Sequence, residues 1–146
     1  MNRRIFLALG AAVAALAAGT AGLLGGRTPD NLTLSALSGE ALQDDSILLV
    51  DIRRPEEWQQ TGVIEGARLV TYTDPESFLS QVRPHLQEGQ SLALICRTGN
   101  RTSRATRQIS ELIDAPVVDV AGGMVRVLGE GYRPVAPTGE MGCTVC

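Results

Sequence analysis

One cysteine in this chain stands where a thiol can act as a nucleophile. Cys96 opens the run Cys96-Arg97-Thr98-Gly99-Asn100-Arg101. Before it, Ser91-Leu92-Ala93-Leu94-Ile95 is an apolar stretch of strand length; after it, Thr102 to Ile113 reads as a helix. At such a strand-to-helix turn the N–H groups of Arg97, Thr98, Gly99, Asn100, Arg101 and Thr102 converge, and they favour negative charge. The thiolate is the reactive form, so a cysteine held there is a good nucleophile near neutral pH. Gly99 lets the loop curl round the sulfur. Burial as an inert small hydrophobe fits poorly with a loop of arginine, glycine and asparagine.

Other chemistry-bearing residues are few. His85 is the only histidine and reads as a surface residue at a helix end. No general base is evident beside Cys96, and a thiolate needs none. Cys143-Thr144-Val145-Cys146 ends the sequence. The pair can cycle between dithiol and disulfide, yet no helix follows it, as a thioredoxin-type motif requires. Two readings stay open: a local disulfide on a flexible tail, or a pair that exchanges sulfur or electrons with Cys96. Two thiols alone are an incomplete metal site, so no metal is expected.

The elements that must position Cys96 can be read in order. Residues 27–31 are a linker, and Leu32-Thr33-Leu34 is a candidate edge strand. Ser35 is placed to cap a short helix over Ala36 to Gln43, weakened by Gly39. Ile47 to Ile52 is a continuous apolar strand, as in a parallel sheet buried on both faces. Pro55, Glu56 and Glu57 start a short helix containing Trp58, with Asp51 placed to orient Arg53 or to cap a neighbouring turn, and Trp58 in the core. Arg68-Leu69-Val70 is a third strand, and Asp74-Pro75-Glu76 opens a helix to about Val82. Ser91 to Ile95 and Val117 to Val120 are the last two strands. Gly122-Gly123 turns into a brief helix from Met124 to Leu128, and Gly131 to Val135 closes the domain at about Ala136. Residues 137–146 read as a flexible tail. Strands alternate with helices, so the class is α/β with a five-stranded, mainly parallel sheet. In such sheets the site lies at the carboxyl ends of the strands, where Cys96 falls.

Composition bounds the rest. The sequence has 146 residues, enough for one domain, and few aromatics, so Leu, Val, Ile and Ala must build the core. All 13 basic residues are Arg, which excludes lysine chemistry. A net charge of −3, with no basic run beyond the N-terminus, argues against a nucleic-acid partner.

The first residues carry a different signal. Arg3-Arg4 precede Ile5-Phe6-Leu7, and no charge follows until Arg27. This resembles a twin-arginine export signal. As a helix, Ile5 to Gly26 would span about 33 Å, so residues 1–26 are either a cleaved signal peptide or a membrane anchor. Both place the domain in the periplasm or on the outer face of a bacterial inner membrane. Membrane contact is expected only through this segment.

Taken together, several of these stretches resemble a known family. Leu49-Val50-Asp51-Ile52-Arg53 with Pro55-Glu56-Glu57-Trp58, then Gly62 to Ala67, then Cys96 to Ser103, then Val120-Ala121-Gly122-Gly123 with Gly131 to Val135, are similar in order and spacing to a single-domain rhodanese. The likeness covers residues 32–136. Val63 stands where the family usually has His and Glu65 where it often has Pro. Met124-Val125-Arg126-Val127 replaces a common Trp after the double glycine, which alters the pocket rim. The resemblance implies a three-layer sandwich with helices on both faces of the sheet. It also implies sulfur transfer without a cofactor. Cys96 takes the outer sulfur of a donor as a persulfide, then passes it to a thiol, cyanide-like or protein acceptor. Arg97 and Arg101 bias the site toward a small anionic donor such as thiosulfate. A non-catalytic sulfur-carrier or protein-binding module at the cell envelope is the alternative reading. Phosphatase chemistry needs Cys, five residues, then Arg; here Thr102 occupies that position, and Arg101 comes one residue early.

Overall fold

The computed structural model describes residues 28–146. The expected export signal or anchor, residues 1–26, lies outside them; among the described residues no helix is long and apolar enough to cross a membrane.

Five strands form one sheet: β1 (Leu32–Ser35), β2 (Ile47–Asp51), β3 (Arg68–Leu69), β4 (Ser91–Ile95) and β5 (Val117–Val120). Their order is β1-β5-β4-β2-β3, and every pairing is parallel. The mainly parallel sheet expected from the sequence is therefore wholly parallel, apart from an isolated antiparallel bridge between Val63 and Val135. Among the described residues four α-helices accompany the sheet: α1 (Pro55–Thr61), α2 (Pro75–Val82), α3 (Asn100–Ser110) and α4 (Gly123–Gly129).

Strand side chains alternate between two cores. Val50, Ile52, Leu92 and Leu94 pack on one face with Phe78, Leu79 and Val82 of α2 and Ala105 and Ile109 of α3. Leu49, Ala93, Ile95 and Val120 pack on the other with Leu42, Ile64, and Met124 and Val127 of α4. Helices thus cover both faces, as a three-layer sandwich requires. β4 lies between β5 and β2 and carries Cys96 just past its last residue.

Three local expectations differ from the structure. The helix expected over Ala36–Gln43 is only a 3-10 turn, Ala41–Gln43. Ser35 ends β1, and the Ser38 hydroxyl accepts from the Ala41 N–H instead (3.2 Å). A Cβ at Gly39 would overlap the Tyr132 ring, so the chain there follows that contact rather than a helical path. The end of the expected linker is pinned: Asn31 Nδ2 donates to the carbonyls of Ile113 (2.9 Å) and Ala115 (3.0 Å). The expected flexible tail packs back on the domain. Cys143 is buried at 2% exposure among Trp58, Val63 and Leu69, and the Leu69 N–H donates to the Met141 carbonyl (2.7 Å).

A buried ion pair joins β2 to α1. Arg53 is 1% exposed and Asp51 fully buried. The guanidinium donates through Nε and Nη2 to the carboxylate (2.7–2.9 Å), through Nη1 to Thr61 Oγ1 (2.7 Å) and through Nη2 to the Gly62 carbonyl (2.8 Å). Charge buried this deeply is tolerable only when its hydrogen bonds are met. Arg53→Met leaves the Asp51 carboxylate buried and unpaired. Urea unfolding of that variant is expected to show a loss of ~3–5 kcal/mol; a loss under ~1 kcal/mol would mean the pair is not a structural centre.

Candidate functional site

The loop after β4 is built by three segments of chain. Cys96 directly follows the last residue of the strand, and its side chain follows Leu92 and Leu94 onto the α2/α3 face, where it is 1% exposed. Gly99 then turns the chain with φ +95° and caps α3, a conformation that disfavours any side chain. That turn aims the Gly99 N–H at the sulfur, with N to Sγ at 3.2 Å. The helix therefore starts at Asn100, two residues earlier than the sequence suggests, and ends at Ser110 rather than Ile113. Its N-terminus faces the sulfur, so helix dipole and loop amide act together on negative charge there.

Thr102 sits inside this arrangement. It is fully buried, its hydroxyl donates to the Gly99 carbonyl (2.9 Å), and Oγ1 lies 3.7 Å from Cys96 Sγ. The hydroxyl thus lies between the Gly99 carbonyl and the Cys96 sulfur, and across the sulfur contact either group can donate. The third segment is the double glycine. The Met124 N–H donates to the Cys96 carbonyl (2.8 Å) and the Val125 N–H to the Arg97 carbonyl (3.0 Å). A Cβ at Gly123 would collide with the Cys96 carbonyl oxygen, and φ there is +57°. So α4 can dock against the loop only if residue 123 is glycine.

The two loop arginines have separate surroundings. Arg101 forms a two-pronged pair with Glu57 of α1, with Nη1 to Oε2 at 2.7 Å and Nη2 to Oε1 at 2.6 Å. The Arg101 hydrogen bonds hold the Glu57 carboxyl at about 2, well below the ordinary range. Glu57 also accepts from the Arg54 N–H (3.1 Å), so one carboxylate caps α1 and anchors the loop. Arg97 is exposed, and its guanidinium has no ion-pair or hydrogen-bond partner among the described residues. Thr98 and Asn100 are exposed on the same loop. A cavity of about 520 Å³ opens beside it, lined by Tyr72, Asp74, Asn100, Arg101 and Arg104.

Most residues singled out from the sequence thus lie in one structure around Cys96. Cys143 and Cys146 do not. They form a disulfide, and Cys143 packs beside β3 in a cluster separate from that of Cys96. His85 is exposed, where Arg68 Nη2 donates to its Nε2 (3.0 Å). Among the described residues no group of three or more His, Cys, Asp or Glu could hold a metal. Sequence reasoning missed the role of Glu57, which it treated only as a helix-start residue. It also missed Arg104, although spacing of three from Arg101 puts both on one helix face.

Comparison with known proteins agrees with this fold. The profile of the rhodanese-like domain family matches residues 36–132. The chain belongs to the rhodanese-like domain family. A rhodanese-related protein from Thermoplasma volcanium is 28% identical, with a TM-score of 0.54 over 70% of this chain and 98% of that one. A protein of unknown function from Rhodopseudomonas palustris, described as a possible tyrosine phosphatase, is 24% identical, with a TM-score of 0.57 over 70% of this chain and 85% of that one; the likeness is one of fold. An uncharacterized protein of Synechocystis is 26% identical over 99 residues, 67% of this chain. The chain spans about half, 52%, of the length of that curated relative.

The Glu57–Arg101 pair carries a pH dependence of definite sign. A carboxylate whose pKa is lowered by folding stabilises the native state above its ordinary value and loses that contribution as pH falls through the lowered one. Glu57→Gln should be less stable than wild type above about pH 5, and the gap should close between 4.5 and about 2. Arg101 is 41% exposed, so the gap should be about 1 kcal/mol or less. Thermal melts of both proteins across that range check it; a gap that persists unchanged at pH 2 would assign the effect to packing.

Proposed function

We propose that this chain is a sulfurtransferase that carries sulfane sulfur on Cys96. The observation that carries the reading is the Gly99 N–H aimed at Cys96 Sγ at the head of α3. A thiolate and a terminal persulfide both place negative charge on sulfur, and one cradle serves both. The Cys96 thiolate attacks the outer sulfur of thiosulfate. A sulfur–sulfur bond forms, the old one breaks, and sulfite leaves with its electron pair. A thiophile such as cyanide or a thiol then attacks the terminal sulfur and returns Cys96 to the thiolate.

Charge near the loop supports an anionic donor. Arg101 and Arg104 line the cavity beside it, and Arg97 stands unpaired at the loop surface. The Arg101 guanidinium is turned to Glu57 rather than folded round the loop. With Thr102 in the position where a phosphatase loop places Arg, this weighs against phosphate transfer. The reading extends to a compartment outside the cytoplasm. Arg3-Arg4 before an uncharged run supports it, as does a Cys143–Cys146 disulfide, a bond that persists under oxidising conditions.

Intact-mass measurement after incubation with thiosulfate should show one added sulfur atom, removed by cyanide. Cys96→Ala should take up none. Cys143→Ser/Cys146→Ser should take up sulfur as wild type does, because the disulfide packs away from Cys96. Equal uptake by wild type and Cys96→Ala, or uptake by neither, would sink the reading.

A further inference from the structure

A second cavity, of about 420 Å³, lies on the other side of α3, against β5 and the edge strand β1. Leu32 and Leu34 line it from β1, Arg107 from α3, and Asp119 from β5. Its size suits a small molecule. The side chain that makes it unusual is Asp119. In the sheet register Asp119 pairs with Leu34 on one side and Leu94 on the other, so its carboxyl points to the same face as they do, under α3. It is 6% exposed, and its Oδ1 has no hydrogen-bond partner. A buried carboxyl oxygen without a partner is costly and rare. Burial pushes this carboxyl above its usual range, with the Thr102 hydroxyl and the Arg107 charge opposing.

The cation in the same cavity is also unpaired. Arg107 is exposed, and none of the ion pairs among the described residues includes it. An anion and a cation therefore share one cavity without meeting. A metal ion suits Asp119 but is repelled by Arg107, and a single carboxylate is too few ligands. A phosphate or sulfate suits Arg107 but is repelled by Asp119. A molecule with a donor cation at one end and a carboxylate at the other satisfies both. The wall between is apolar: Leu34 is 69% exposed, an aliphatic side chain on the edge strand at the mouth of the cavity.

We propose that this cavity is a binding site for a small free α-amino acid, its ammonium on Asp119, its carboxylate on Arg107, and its aliphatic or thiol side chain along Leu32 and Leu34. The site is distinct from the cavity beside Arg101, and the proposal does not rest on sulfur transfer. It does touch the reactive loop: Gly99, whose N–H donates to Cys96 Sγ, lines this cavity too. A bound amino acid would sit against the residue that holds the sulfur's hydrogen bond.

The test is a titration of the full chain with L-leucine and L-cysteine, followed by calorimetry and by amide NMR shifts. Isoamylamine, which lacks the carboxylate, and 4-methylpentanoate, which lacks the ammonium, are the controls. The amino acids should bind and shift the amides of β1 and β5, and each control should bind about tenfold more weakly or worse. Arg107→Gln, on the exposed face of α3, should weaken leucine about tenfold and leave isoamylamine unchanged. Asp119→Asn should weaken leucine and leave 4-methylpentanoate unchanged. Absence of binding by either amino acid at about 10 mM would overturn the proposal. So would equal binding of leucine and its two controls, or an Arg107→Gln variant that binds leucine as wild type does. Asp119 would then be a buried acid satisfied by water alone.

Discussion

The Arg53 guanidinium holds the site end of this molecule together. It reaches the Asp51 carboxylate at the tip of β2, the Thr61 hydroxyl at the end of α1, and the Gly62 carbonyl beyond it. Five N–H donors in a rigid fork are needed for such a junction, and an ammonium could not span it. Because α1 is fixed at its C-terminal end, its first turn is fixed as well. That turn presents Glu57 to the backbone of Arg54 and to the side chain of Arg101. A chain of charge-assisted contacts thus runs from the end of β2 to the cysteine loop. Its inner part is dry and stiff, and its outer part is wet and adjustable.

The loop also depends on what is missing from its neighbour. Gly122 and Gly123 let α4 dock onto the carbonyls of Cys96 and Arg97, and those carbonyls accept from the first amides of α4. With the carbonyls engaged on that side, the Gly99 amide is oriented toward the sulfur on the other. The division follows from peptide geometry: in a tight turn the N–H and C=O groups point apart, so fixing one set aims the other. α3 supplies the dipole, α4 supplies the donors behind the loop, and α1 supplies the counter-ion for Arg101.

Much of this was legible in the sequence, and the exceptions have physical causes. β4 and β5 have the bounds their apolar runs suggest, because strands buried on both faces leave little choice of pattern. Asp51 orients Arg53, and Trp58 is core, as their positions imply. The Ala36–Gln43 helix was not legible as a turn, because Gly39 is shaped by the Tyr132 ring far along the chain. Glu57 and Arg101 are 44 residues apart, and Asp119 looks like an ordinary polar position until α3 covers it. Spacing reveals periodicity within an element, whereas partners across elements emerge only from packing. The tail read as loose because its composition is that of a turn, yet Cys143 finds a pocket beside Trp58.

That folded tail makes the two margins of the sheet unlike. At β3 the Leu69 amide is taken by the Met141 carbonyl, and Gly142 lies directly against the Leu69 backbone. At β1, among the described residues, the outer side of a four-residue strand is the end of the strand order. A parallel sheet with one margin capped can be extended in one direction only. Among the described residues, strand addition is thereby left open only at the four-residue margin of β1. The closing turn of the chain acts as a selvedge, finishing the fabric on the side where an unprotected two-residue strand would otherwise fray.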